Sequence, residues 1–193
     1  MTLSRAEQRR EFSARRAALT PGDRLAAADA VARHLGAQSN LRQSGYVGGY
    51  WAVNGELPLH AVQLRLAPGQ VWCLPMVQPD GGLRFAPWRA GDPLQPNRYG
   101  IPEPVLATKS TLAPEELQWA LLPLLGFDRS GTRLGMGGGY YDRAFGFRRE
   151  SEVPPRLVGV GYGFQELPHL AAEPWDVALD AVVTEHGFAP AKR

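Results

Sequence analysis

Apolar and polar positions alternate first with a helical and then with an extended period. Ser4-Arg5-Ala6-Glu7 has the form of a capping box, which predicts a helix from there to about residue 19. Thr20-Pro21-Gly22-Asp23 ends it and starts a second, with Thr20 as N-cap and Pro21 in the first helical position, fading near Gly36. Residues 46–53 read as a buried strand, and after Asn54-Gly55-Glu56 a further helix is expected to about residue 66. Residues 71–77 form the next expected strand, and Asp80-Gly81-Gly82 is a hairpin signal leading into a strand over 83–88. The proline-rich stretch 89–118 has little periodicity; it reads as a surface excursion, because a strand resumes at once over 119–125. A glycine cluster then introduces a helix over 141–149, and 156–162 and 181–185 are the last two expected strands. Strands alternating with helices predict an α/β fold: one three-layer domain over residues 1–193, its sheet largely parallel, with helices on both faces and a β-hairpin excursion.

Composition narrows the class. With 193 residues, 44% hydrophobic and 21% charged, the chain has globular proportions and enough length to bury a core. Its one cysteine, Cys73, lies in the apolar run Val71-Trp72-Cys73-Leu74 and reads as a core thiol, which excludes a disulfide framework or a multi-cysteine zinc site. The apolar run 119–125 is too short to span a bilayer. The N-terminus holds arginines but also Glu7 and Glu11, and no apolar region follows, so neither a signal nor a transit peptide is expected. A soluble, cytoplasmic monomer is the expectation. A net charge of +2 argues against nucleic acid as a partner, although residues 1–20 carry five arginines against two glutamates. An RNA-binding reading of that helix has no aromatic binding motif to support it.

The strongest chemical signal is Arg133-Leu134-Gly135-Met136-Gly137-Gly138-Gly139-Tyr140-Tyr141-Asp142-Arg143. Glycines between a strand and a helix let the backbone approach a ligand and leave N–H groups for phosphate oxygens. The string is neither a P-loop nor a dinucleotide fingerprint. A merely flexible loop is the bland reading, and the bulky Tyr-Tyr-Asp beside the glycines speaks against it. Asp142 suits either a helix cap or Mg²⁺ held beside polyphosphate, and Asp176, in Glu173-Pro174-Trp175-Asp176, is a second acidic candidate. On the first helix Arg5, Arg9, Phe12, Arg16 and Leu19 share about a quarter of the circumference. Arginine stems snorkelling over the core edge and arginines reaching inward to phosphate both fit that geometry. Glu56 follows a strand end, where open α/β sheets bind ligands, and Trp51 beside it has a ring suited to stacking on a flat heterocycle. The four histidines show no metal spacing.

The sequence resembles the 5-formyltetrahydrofolate cyclo-ligase (5,10-methenyltetrahydrofolate synthetase) family. The likeness is dense in Leu122-Pro123-Leu124-Leu125-Gly126-Phe127-Asp128 and in residues 133–143, and continues through Gly161, Gln165, Pro174-Trp175-Asp176 and Val183-Thr184-Glu185. It includes the N-terminal basic helix, with Arg5 where the family often has lysine, and spans essentially the whole chain. It implies an ATP-dependent ligase. ATP would lie against Arg5, Arg9, Arg133, Leu134, Gly135, Met136, Gly137, Gly138, Gly139, Tyr140 and Tyr141. The folate would lie against Trp51, Glu56 and the loop tip at Met136, Gly137, Gly138, Gly139 and Tyr140, with Glu56 and Tyr140 as catalytic candidates. Mg²⁺ would sit on Asp142 and Asp176, of which Asp176 competes with Glu173 and Asp180 for register. The implied reaction converts 5-formyltetrahydrofolate to 5,10-methenyltetrahydrofolate with release of ADP and phosphate, through a phosphorylated formyl (imidate phosphate) intermediate. The alternative is a catalytically silent nucleotide-binding regulatory module of the same fold, against which an intact Glu56 and Asp142 count.

Overall fold

The computed structural model describes residues 3–107, 110–150 and 154–192; the expected domain 1–193 and the excursion 89–118 both run over residues outside this set. Helices α1 (Arg5–Ala17) and α2 (Pro21–Gly36) start where their sequences provide caps. Ser4 Oγ accepts from the Glu7 N–H at 3.3 Å while the Glu7 carboxylate accepts from the Ser4 N–H at 2.7 Å, and Thr20 and Asp23 repeat the exchange. Each such cap contributes about 1 kcal/mol. There follow β1 (Gly45–Gly48), α3 (His60–Gln63), β2 (Gln70–Val77), β3 (Leu83–Pro87), β4 (Leu94–Pro96) and β5 (Pro102–Pro104). The second half contains β6 (Leu117–Pro123), β7 (Gly126–Phe127), β8 (Arg133–Leu134), α4 (Tyr140–Ala144), β9 (Arg156–Val160), β10 (Ala181–Thr184) and β11 (Gly187–Pro190).

Seven strands form one sheet in the order β11-β10-β9-β6-β1-β2-β3. The five inner strands are parallel, and the antiparallel edge strands β3 and β11 return from hairpins. Both faces are buried, which is why the inner strands read as continuous apolar runs. Val47, Trp72, Leu74, Leu121, Val158 and Val183 point into one core beneath α2 and α3. Their alternating neighbours Cys73, Ala120, Leu122, Leu157 and Val182 point into the other, beneath Phe145, Val177 and Leu179. The sheet is therefore the middle layer of three, as the pattern predicts. Cys73 is fully buried and its thiol is pushed up to about 12 by loss of solvent, which suits a core residue rather than a nucleophile. Among the described residues no helix is long and apolar enough to cross a membrane.

Four expectations shift. The first strand ends at Gly48, not residue 53, because the chain there presses on its neighbour: a Cβ on Gly49 would lie 2.0 Å from the Trp72 ring. The helix expected after Glu56 shrinks to α3, since Asn54 (φ 51°) and Gly55 (φ 74°) turn the chain left-handed and buried Leu57 and Leu59 pin the irregular segment that follows. Gly187–Pro190 adds an edge strand after the last expected one, and the excursion folds into the small β4–β5 hairpin.

The fold positions the site through strand order. From β1 the chain goes to β2 on one side, and later β6 pairs on the other. A topological switch point between β1 and β6 opens a crevice beyond their carboxyl ends, where open α/β sheets bind ligands.

Candidate active site

A cleft of about 660 Å³ occupies that crevice. Arg5 and Arg9 on α1, Tyr50 to Glu56 after β1, the glycine loop through Asp142, and Trp175 with Asp176 line it, and Tyr99 to Ile101 at the tip of the β4–β5 hairpin cover it. Of the ATP, folate and Mg²⁺ candidates named from the sequence, all but Leu134 line the cleft. The Leu134 side chain is fully buried with Phe12, Leu125 and Leu170, so this residue anchors the loop and does not face the cavity.

One wall is suited to an anion. The Arg9 Nε donates to the Gly135 carbonyl at 2.9 Å, and its guanidinium lies alongside Gly137. Arg5 donates to Asp176 Oδ2 at 2.9 Å. Both arginines line the cleft from α1. Gly137 (φ 100°) and Gly139 (φ 66°) hold left-handed conformations that favour glycine, and no backbone hydrogen bond among the described residues takes up the N–H groups of residues 136–139. The helix that follows has only five residues, so its dipole adds little and the loop N–H groups themselves are the anion donors.

The two aspartates sit on this wall, each half engaged. Asp142 Oδ1 accepts from Arg133 at 2.6 Å and from the Val177 N–H at 3.1 Å. Asp176 Oδ2 accepts from Arg5 and from the Glu173 N–H at 3.0 Å. Among the described residues no hydrogen bond engages the second oxygen of either. Asp142 is thus no N-cap: Gly139 holds that position. No cluster of three or more His, Cys, Asp or Glu suited to a metal occurs among the described residues. Two carboxylate oxygens beside a wall suited to an anion nonetheless form the sparse donor set with which Mg²⁺ usually binds, completing its shell with phosphate oxygens and water. Arg133 is 5% exposed and spends its donors on Asp142 and the Val177 carbonyl, so it holds Asp142 in place more than it faces the cavity.

The opposite end is flatter and less charged. Trp51 is partly exposed and meets Trp88 edge-on at 5.9 Å. Glu56 closes the Asn54-Gly55 turn, its carboxylate accepting from the Val53 N–H at 3.1 Å; burial pushes its acid up from the ordinary carboxyl range, partly opposed by that bond and by Arg16. Tyr50 secures the segment by donating to the Leu57 carbonyl at 2.7 Å. Tyr141 is half-buried in the cleft wall, and its hydroxyl is driven up by desolvation. At the roof Tyr140 meets Tyr99 and Arg98, and those hydrogen bonds hold its hydroxyl below the usual tyrosine range. The hairpin tip carries no sequence signal, because Arg98 and Tyr99 lie in a stretch without periodicity. Arg16 was legible only as a member of the α1 face, yet it is 1% exposed and sits behind the cleft wall.

Fold and cleft together define an α/β protein whose crevice has an arginine-and-glycine wall suited to an anion at one end and Trp51 with Glu56 at the other. Residues 1–185 match the 5-formyltetrahydrofolate cyclo-ligase family, and the chain belongs to it. It is 33% identical over 182 residues to the 5-formyltetrahydrofolate cyclo-ligase of Haemophilus influenzae, covering 92% of this chain and 96% of that one. It is 33% identical over 174 residues to the Escherichia coli enzyme of the same name, covering 88% and 94%. The solved structure of 5,10-methenyltetrahydrofolate synthetase from Aquifex aeolicus superposes with a TM-score of 0.83 at 26% identity, covering 99% of this chain and 94% of that one. The Mycoplasma pneumoniae synthetase shares the fold, with a TM-score of 0.71 at 21% identity and coverage of 95% and 99%.

Proposed function

We propose that this protein uses ATP and Mg²⁺ to close 5-formyltetrahydrofolate to 5,10-methenyltetrahydrofolate, releasing ADP and phosphate, as a cytoplasmic monomer. The observation that carries the reading is the joint occupation of one crevice by an anion wall and a slot bearing Glu56 and Trp51. The formyl oxygen of an amide is a poor leaving group, so ring closure needs it activated. Transfer of the terminal phosphoryl group to that oxygen forms the O–P bond as the P–O bond to ADP breaks, giving an imidate phosphate. The 10-nitrogen then attacks the activated carbon, the carbon–oxygen bond breaks, and phosphate departs with the former formyl oxygen.

The protein's share is positioning and charge neutralisation. Arg5, Arg9 and the N–H groups of Gly137 to Gly139 hold the phosphates and accommodate charge as it moves. Asp142 and Asp176 would hold Mg²⁺, whose contribution when bound is to neutralise phosphate charge. The Glu56 carboxylate is suited to accept from the adjacent N–H donors at the pterin edge while Trp51 packs on the ring. The proton lost from the 10-nitrogen is taken up by the departing phosphate, while Tyr140, its hydroxyl hydrogen-bonded to Arg98 and Tyr99, orients that end of the folate.

Incubation with ATP, Mg²⁺ and 5-formyltetrahydrofolate should generate the methenyl chromophore, stoichiometric with ADP. Nucleotide binding with no chromophore would instead favour a silent regulatory module. Substrate carrying heavy oxygen at the formyl group should deliver one labelled atom into inorganic phosphate per turnover. Label released to water, from substrate that had retained it until turnover, would refute the imidate phosphate route.

A further inference from the structure

Behind the cleft wall lies a charge that the reading above does not use. Among the described residues Arg16 is the largest fully buried side chain, at 1% exposure, and comes from the last turn of α1. Its Nη1 reaches the Leu124 carbonyl only at 3.4 Å, its Nη2 has the Met136 sulfur at 4.0 Å, and its Nε has no partner among the described residues. Leu124 and Met136 are both cleft residues. A buried cation with so little hydrogen bonding is costly to keep unless a nearby anion answers it. The turn bearing Glu56 is packed onto Arg16: a Cβ on Gly55 would lie 3.3 Å from the Arg16 Cβ and 3.3 Å from its carbonyl oxygen. Arg24 reinforces the platform by donating to that carbonyl at 3.1 Å.

We propose that Arg16 is a positioning residue for the folate end of the cleft: it carries the turn that bears Glu56 and sets behind the wall the positive charge that complements the half-buried Glu56 carboxylate facing substrate N–H groups. This deepens the function proposed above and rests on it for the identity of the ligand. Glu56 and Arg16 make no direct ion pair; they interact across the packed turn. The other ionisable groups around the pair are Arg24 from α2, Tyr50 after β1, Tyr141 from α4, Tyr162 after β9, and, further out, Arg133 on β8 and Glu185 after β10. The three tyrosines stay neutral, their hydroxyls raised chiefly by burial. Burial at Glu56 is opposed first by the Val53 N–H and then by the Arg16 charge, so loss of Arg16 leaves the carboxylate with that one hydrogen bond against burial.

The test is the titration of Glu56 itself in the full-length chain, followed by carboxyl-carbon NMR with Glu56→Gln to assign the signal. Arg16→Met, which keeps the stem and removes the charge, should raise the midpoint by about one pH unit or more. Arg16→Lys should restore most of the wild-type value. In turnover, Arg16→Met should move the acid limb of the pH profile upward and raise the KM for 5-formyltetrahydrofolate severalfold while leaving the KM for ATP in place. Should Arg16→Met fail to fold, Arg16→Gln serves the same comparison. An equal Glu56 midpoint with and without the Arg16 charge overturns the proposal, whatever happens to the melting temperature. Because this titration needs no turnover, its failure is distinct from absence of cyclo-ligase activity.

Discussion

Asp142 has a structural role in the fold and a proposed one with Mg²⁺, and substitutions can separate them. Its Oδ1 satisfies Arg133 and the Val177 N–H, while among the described residues no hydrogen bond engages Oδ2. Asp142→Asn keeps an acceptor for the two donors but removes the charge, so it should raise the Mg²⁺ requirement about tenfold or more with a modest fall in melting temperature. Asp142→Ala abandons buried Arg133 and should cost about 3–5 kcal/mol of stability, read from chemical denaturation. A Mg²⁺ titration of Asp142→Asn identical to wild type would leave Asp142 with the structural purpose alone. Glu56 presents the opposite balance. Its folded acid is raised above the unfolded value by burial, so its ionisation opposes folding. That cost is absent below the unfolded pKa and grows as pH rises through the interval up to the folded one. Glu56→Gln should therefore melt above wild type near neutral pH, and the gap should close as pH falls below about 4. The same variant should weaken folate use roughly ten- to hundredfold, the loss expected for a charged hydrogen-bonding partner.

Within the glycine loop, neighbouring positions carry different constraints. Gly135 has open space where a Cβ would go, whereas Gly137 has φ 100° with the nearest Arg9 atom at 3.7 Å. Strain at Gly137 is thus conformational, worth about 1–2 kcal/mol for a residue with a Cβ. Gly137→Ala should raise the KM for ATP about tenfold, while Gly135→Ala stays within twofold; equal effects at both sites would mean that loop conformation does not set phosphate binding. The Gly49 scaffold position should behave differently again. Alanine there collides with Trp72 in the core and should destabilise by about 3 kcal/mol, measured by urea denaturation. These elements also mark how far the sequence could be read. Capping boxes, the apolar inner strands and the glycine string are local chemistry, so both N-terminal helices, the parallel sheet and the loop were legible. Where α3 begins, where β1 ends and where the β4–β5 tip lands depend on tertiary packing: Trp72 against Gly49, buried Leu57, and Tyr99 against Tyr140. Arg16 shows the same limit at the site, since periodicity puts it on the inward face of α1 but cannot reveal that Gly55 and Glu56 pack behind it.

At the scale of the molecule, the cleft is assembled from segments far apart in the chain: α1 at one end of the sequence, the loop after β1, the glycine loop, and the Trp175-Asp176 turn. None of these is part of the sheet proper. Their mutual placement depends on a few long-range contacts, such as Arg5 to Asp176, Arg9 to Gly135 and Arg133 to Asp142. A ligand that spans the cleft therefore binds a feature that exists only in the folded chain, and should stabilise the whole fold. At a concentration one hundred times its dissociation constant, such a ligand contributes about 2.7 kcal/mol. For a chain of this size that corresponds to a rise in melting temperature of roughly 5–10 °C. Mg·ATP should produce that rise by itself. In Arg9→Ala, the same nucleotide concentration should give a clearly smaller rise, recovered only at higher nucleotide, because one of the two α1 contacts to phosphate is gone. The unliganded Arg9→Ala protein should melt close to wild type, since Arg9 stabilises the fold through a single partly exposed bond to Gly135. A variant that melts well below wild type without ligand, yet shows the full nucleotide-induced rise, would return Arg9 to the role of an arginine stem covering the edge of the core.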